Sequence, residues 1–201
     1  MQLKSSGDAF LFGFAIQMML YFASGEKVLA SVPNINVLLN DVLFMEVLQP
    51  SSIRYTYKIR PAKNFGTSFQ RKYNSIELAV AEPYHGCTHL MNKHFVDGRI
   101  VLIQRGECSF VTKAINAEEA GAVAVVITDN NINNDQSFID MVDDNTDRVV
   151  SIPATFLLGK DGHMIKTKLD ELGQRFAVIT IPINVTGANV YHVNQPPWTL
   201  W

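Results

Sequence analysis

Residues 98–130 read Gly98-Arg99-Ile100-Val101-Leu102-Ile103-Gln104-Arg105-Gly106-Glu107-Cys108-Ser109-Phe110-Val111-Thr112-Lys113-Ala114-Ile115-Asn116-Ala117-Glu118-Glu119-Ala120-Gly121-Ala122-Val123-Ala124-Val125-Val126-Ile127-Thr128-Asp129-Asn130. Two short apolar runs, Ile100 to Gln104 and Val123 to Ile127, enclose a segment with helical spacing. The first is entered through the turn dipeptide Asp97-Gly98, and both are short and apolar enough for strands buried on two faces. Between them Ser109 is placed to cap a helix. Phe110, Ala114 and Ala117 beside Val111 and Ile115 supply its apolar rows, and Gly121 stands where a left-handed terminator is wanted. The spacing predicts a βαβ unit with two parallel strands and a right-handed crossover.

Outward from this unit the pattern is mixed. Val42 to Leu48 begins regular structure. Ile53, Tyr55, Tyr57 and Ile59 alternate with Arg54, Thr56 and Lys58, predicting one strand with a core face and a wet face, ended by Pro61. Ile76 to Val80 is a further short strand, and 83–94 is a loop. A polar excursion over 129–147 follows the βαβ unit. Thr155 to Leu158 predicts a strand, then a helix over 162–172 capped by Asp161 and stopped by Gly173. Phe176 to Ile181 is the last strand, its end marked by Pro182.

The 201 residues, 47% of them apolar, suffice for one substantial core and leave little room for a second. A formal charge of −2 offers no broad attraction to phosphate backbones, so nucleic acid is not an expected partner. Lys4 precedes an apolar stretch from Ala9 to Ala23 with small residues at Ala23 and Gly25, the form of a secretory signal peptide. That stretch is shorter than the roughly 20 residues a membrane-spanning helix needs. The expected organisation is a signal peptide over 1–25 with cleavage between 23 and 30, a lead-in over 26–41, one domain over 42–187, and a Pro/Trp tail over 188–201. No membrane span is expected after the leader.

The ordered set Gly98-Arg99-Ile100-Val101-Leu102-Ile103, Arg105-Gly106, Cys108, Phe110, Lys113, Ala117, Ala120-Gly121-Ala122 and Val125-Val126-Ile127, followed by Ile152-Pro153-Ala154, resembles the signature of the protease-associated (PA) domain. The resemblance extends loosely from Tyr55 to Ile183. It implies an α+β fold, a mixed β-barrel or sandwich flanked by two helices. It also implies a binding role without chemistry, because such domains occur as non-catalytic inserts in peptidases and as luminal domains of sorting receptors and membrane ubiquitin ligases.

The chain has two cysteines, Cys87 and Cys108, and an even pair in an exported segment is most simply a disulfide. Many PA domains pair cysteines in corresponding places, so the resemblance points the same way. Asn184-Val185-Thr186 is an N-glycosylation sequon. His85, Cys87, His89 and His94 cluster, but their spacing matches no zinc module, and an oxidising lumen takes the thiol of Cys87 into a disulfide. Asp129, Asn131, Asn133, Asp135 and Asp140 fall at EF-hand positions. Asn134 stands where the turn wants Gly, however, and a strand precedes the loop. No metal or other cofactor is expected.

No catalytic motif is present. The nearest Ser-His-Asp set, Ser109 with His89 and Asp97, spends its serine on the helix cap. The expected function is that of a secreted, glycosylated, non-enzymatic PA protein acting as a protein-binding or regulatory module, with an extracellular or lumenal protein as partner. A small hydrolase with a non-sequential site and a cargo-binding role inside the secretory pathway are the rival readings. Trp198 and Trp201, after Pro196-Pro197, either fold back on the domain or contact the partner.

Overall fold

The computed structural model describes residues 42–183 and 193–199. The signal stretch, the lead-in, the Asn184 sequon and Trp201 lie outside the described residues. In chain order the elements are β1 (Leu43–Gln49), a 3-10 turn (Ser51–Ile53), β2 (Thr56–Pro61), β3 (Tyr73–Val80), α1 (Lys93–Val96), β4 (Ile100–Gln104), α2 (Phe110–Glu119), β5 (Ala124–Thr128), β6 (Ala154–Leu157), α3 (Gly159–Glu171) and β7 (Phe176–Ile183).

The βαβ unit is the centre of the fold. β4 and β5 pair in parallel from Ile100 opposite Ala124 to Gln104 opposite Thr128. Their side chains divide by the period of two. Val101, Ile103, Val125 and Ile127 join an outer cluster with Val111, Ala114 and Ala117 of α2. Ile100, Leu102, Ala124 and Val126 point the other way, into a second cluster with Met45, Tyr57 and Ile179. Apolar runs without alternation are the consequence of cover on both faces, each buried Val, Leu or Ile contributing about 1.5–3 kcal/mol.

The ends of α2 follow from local chemistry. The Ser109 side chain accepts the Thr112 N–H at 3.1 Å. Gly121 takes φ +88, and a Cβ there would fall 2.2 Å from Asp97 Oδ1, so glycine is required both by conformation and by space.

The strands close into a barrel in the order β1-β2-β6-β5-β4-β3-β7. Its half from β3 through β4 and β5 to β6 is parallel. The other half is antiparallel, with β7 bridging β1 and β3. This is the mixed β-barrel flanked by helices that the resemblance implies. Among the described residues no helix is long and apolar enough to cross a membrane.

Three local expectations are corrected. Ile53 does not belong to the strand of Tyr57 and Ile59. It closes the 3-10 turn, its N–H bonding to Pro50 O at 3.3 Å, and the chain reverses so that Val47 N–H meets Tyr55 O at 3.0 Å. Ile53 stays buried, and its carbonyl accepts the Tyr57 hydroxyl at 3.0 Å, so the burial pattern survives while the backbone turns. Pro61 ends β2 as expected, still pairing with Thr155, whereas Pro182 does not end β7, since beyond it Ile183 pairs with Phe44.

The third correction concerns α3, which begins at Gly159, with Leu158 at the N-cap position and no side-chain cap. The loop after β5 takes the place of a capping side chain, Asn134 O accepting the Lys160 N–H at 3.0 Å. Gly159 permits this approach, since a Cβ on it would meet Asn131 O at 2.0 Å, and Gly162 lets α3 lie against β5, where a Cβ would meet Thr128 Oγ1 at 2.0 Å. Asp161 is thereby turned inward and is 1% exposed.

Candidate functional site

A disulfide joins Cys87 to Cys108, across 21 positions, and ties the loop after β3 to the start of α2. Beside it Lys113 of α2 is fully buried. Its Nζ donates to Gly106 O at 2.6 Å and to His85 O, and lies 3.3 Å from Cys87 Sγ. Burial pulls the Lys113 pKa down to about 8 against the opposing influence of Glu107. The buried ammonium therefore clamps the two carbonyls that flank the disulfide.

His85, Cys87 and Glu107 are the convergent metal-ligand group among the described residues. Two of its three ligand atoms are committed elsewhere: the Cys87 sulfur is bonded to Cys108, and His85 Nδ1 accepts the Cys87 N–H at 3.0 Å. A cation would need a thiolate that the disulfide removes. His89 is exposed and faces Glu119, and His94 lies against Phe95, so the four-residue cluster of the sequence disperses.

The Asp/Asn-rich excursion disperses as well. Asp129 pairs with Arg105 at 2.8 Å, Asp135 with Lys160 at 3.2 Å, and Asp140 with Arg60 at 3.0 Å and Lys63 at 2.7 Å. Burial pushes the Asp129 carboxyl up, but hydrogen bonds from Arg105 and Asn134 outweigh it and hold the pKa below the usual carboxylate value. These carboxylates are spread over separate cations rather than aimed at one point. Ser109 is spent on Thr112 and Asp144, away from any pairing with His89 or Asp97.

The tail segment 193–199 packs on the domain. Asn194 O accepts the Thr56 N–H at 2.7 Å, and Trp198 meets the edge of Tyr55 at a centroid distance of 5.7 Å. The Trp198 indole Nε1 donates to Asp161 Oδ1 at 2.8 Å. Burial drives the Asp161 pKa up to about 6, with Asp135 adding to the rise and Trp198 and Lys160 opposing it. Sequence reasoning missed this pair, because an acidic residue at a helix start carries the same local signal as a cap.

A cleft of about 500 Å³ opens at one mouth of the barrel. The start of β1 (Leu43), the end of β2 (Pro61), the start of β6 (Thr155) and the end of β7 (Pro182) meet there, and the loop over 62–72 forms a wall with Phe65 and Phe69. The loop is held by Ala62 N–H to Ala154 O at 2.9 Å and Lys63 N–H to Met141 O at 2.8 Å. Gly66, at φ +71, brings its backbone close to Ile152 O. Thr155 is 1% exposed, and its hydroxyl has no hydrogen-bond partner.

The comparisons agree with this geometry. The family model described as the PA domain matches residues 75–165. A PRADC1-like protein of Drosophila melanogaster is 40% identical over 168 residues, which cover 83% of this chain and 85% of that protein. ER degradation-enhancing alpha-mannosidase-like protein 3 of Homo sapiens is 36% identical over 98 residues, 47% of this chain but 10% of its own. Signal peptide peptidase-like 2 of Arabidopsis thaliana is 41% identical over 104 residues, 51% of this chain and 18% of its own. The last two share one module with the chain and differ in the rest of their length, whereas the fly protein matches along most of both chains. With its parallel βαβ core, its closed mixed barrel and a relative 40% identical over most of both chains, the chain belongs to the PA-domain family, alongside the PRADC1-like proteins.

Proposed function

We propose that the chain is a secreted, non-catalytic PA module that binds protein. The observation that carries this reading is the state of Cys87. The one convergent set of metal-ligating side chains among the described residues has its sulfur locked to Cys108, so the thiolate that metal chemistry would need there is gone. A disulfide also suits an oxidising compartment, which is where the apolar leader of the sequence directs the chain. The mature protein begins between residues 23 and 30 and carries a glycan on Asn184, with 42–187 as the binding domain.

The test is affinity capture with the native glycoprotein from conditioned medium, run beside a broad hydrolase screen of the same preparation. Specific capture of an extracellular or lumenal protein, with no turnover above a mock preparation, is the expected result. Turnover that co-purifies with the chain and is lost on a point substitution would show an enzyme instead. Intact mass before and after glycosidase treatment checks the processing, and retention of Met1 with no mass change would contradict both the cleavage and the glycan.

A further inference from the structure

The link from β2 to β3 changes character halfway along. Its first part is bound down, with Lys63 N–H on Met141 O at 2.8 Å and Thr67 N–H on Ile152 O at 3.3 Å. From Ser68 to Lys72 no backbone–backbone hydrogen bond holds the chain, and Gln70, Arg71 and Lys72 are all exposed. Tyr73 then opens β3, whose first residues pair with β7 alone. Pairing with β4 starts at Leu78, and the register with β7 breaks between Tyr73 and Ile76. Arg71-Lys72 is also the single place in the sequence where two Arg or Lys residues adjoin, and no acidic residue or proline occurs from 62 to 76. The other exposed basic residues are held in place: Lys93 lies in α1, Arg54 closes the 3-10 turn, Lys63 is bonded to Asp140, Arg148 to Asp144 and Thr112, and Arg175 stands in the short link between α3 and β7.

From this arrangement we infer that Arg71 and Lys72 form a cleavage site for an extracellular trypsin-like serine endoprotease, and that the cut leaves two fragments joined in one barrel. The inference goes beyond the protein-binding reading above and rests only on its secretory part, for where the enzyme is met. An endoprotease draws several residues on each side of the cut into an extended conformation, so a folded protein is cut where its backbone is exposed and free of hydrogen bonds. Residues 68–72 meet that condition, and the start of β3, held along one edge, lifts more easily than a strand paired on both sides. The acidic pocket of a trypsin-like enzyme takes Arg or Lys at the cut. Hydrolysis of the Lys72–Tyr73 bond adds one water, leaving a carboxylate on Lys72 and an amino group on Tyr73; a cut after Arg71 does the same one residue earlier. The disulfide lies wholly in the second fragment and does not tie the two together. Sheet pairing does: β1 and β2 of the first fragment pair with β7 and β6 of the second, and Met45, Tyr57 and Ile59 are buried in one cluster with Leu157 and Ile179.

The experiment treats the full secreted glycoprotein with trypsin at a limiting ratio and reads the products by intact mass and N-terminal sequencing. The first cut inside residues 42–183 should fall after Arg71 or Lys72, giving a new terminus at Lys72 or Tyr73. The fragments should co-elute in size exclusion and separate on a denaturing gel without reductant. Arg71→Gln with Lys72→Gln should keep Tm within about 3 °C, as exposed substitutions do. In that variant cutting inside 42–183 should slow by at least about tenfold, because the remaining basic sites need local opening first. Arg148→Gln, in the other long loop, should leave the rate unchanged. A first internal cut elsewhere, an undiminished rate in the double variant, or loss of the first cut in Arg148→Gln would each overturn the site. Fragments that part on cutting would overturn the joined two-chain form. Retention of Met1 without a glycan would count against the secretory reading, whereas trypsin that spares the Arg71-Lys72 stretch overturns the site whatever the compartment.

Discussion

Replacing Asp161 by asparagine should make the protein more stable at neutral pH and leave it little changed in acid. In the folded chain Asp161 is buried under Trp198, and burial raises its pKa from 3.8 to about 6. Between those two values the folded chain holds a proton that the unfolded chain has released. Native stability therefore gains as pH falls through about 6, and the gain is complete near 4. Read from the other side, the ionised carboxylate costs the native state about 3 kcal/mol at pH 7.5. Asparagine keeps an oxygen for the Trp198 indole N–H and removes the charge. Asp161→Asn should accordingly raise Tm by about 6–12 °C at pH 7.5, less whatever its unmatched amide donors cost, and that advantage should shrink by about 3 kcal/mol on going to pH 4. Calorimetric scans of both proteins at half-unit steps from pH 4 to 8 measure this. Carboxylates held below their usual range, such as Asp129 and Asp144, titrate alike in both proteins and cancel in the difference. A difference in stability that stays constant across the range, or that grows toward acid, would refute the reasoning.

Trp198→Phe keeps a ring against Tyr55 but removes the donor to Asp161, so it should cost about 1–3 kcal/mol at pH 7.5 by denaturant titration and less at pH 4.5, where Asp161 is neutral. Lys113→Met should lower Tm, because the carbonyls of His85 and Gly106 lose their donor. The lowered Lys113 pKa also makes wild-type stability rise between pH 8 and 10.5, where the unfolded chain holds the extra proton, and scans to pH 10 should find that rise missing in the variant. Gly162→Ala drives a Cβ into Thr128 and should cost about 1–3 kcal/mol or more, partly restored by adding Thr128→Ala, as read by Tm. Exchanging both Cys87 and Cys108 for serine frees a loop of 21 positions and should cost about 3 kcal/mol in equilibrium unfolding.

Much of this protein is decided by neighbours along the chain. The uninterrupted apolar runs at Ile100 and Val123, the Ser109 cap and the left-handed Gly121 each rest on forces that act within a few residues, so the βαβ unit can be read directly from the letters. The resemblance to the PA family sits on the same stretch. The alternation from Ile53 to Ile59 was legible as burial but not as backbone path, because a turn and a strand can bury the same residues.

What needed the tertiary structure is what distant segments decide together. Asp161 has the local signature of a cap. It is a buried carboxyl with a raised pKa because Gly162 lets α3 lie against Thr128, and its hydrogen-bond donor is Trp198, 37 positions away. The dispersal of the acidic excursion depends on Arg60, Lys63, Arg105 and Lys160, four cations contributed by different elements. The cleft is made where the ends of β1, β2, β6 and β7 converge, and no spacing in the sequence announces which strand ends share a mouth. Closure of the barrel sets that, since periodicity fixes which face of a strand is buried while strand order is fixed by how all seven strands bury their faces at once.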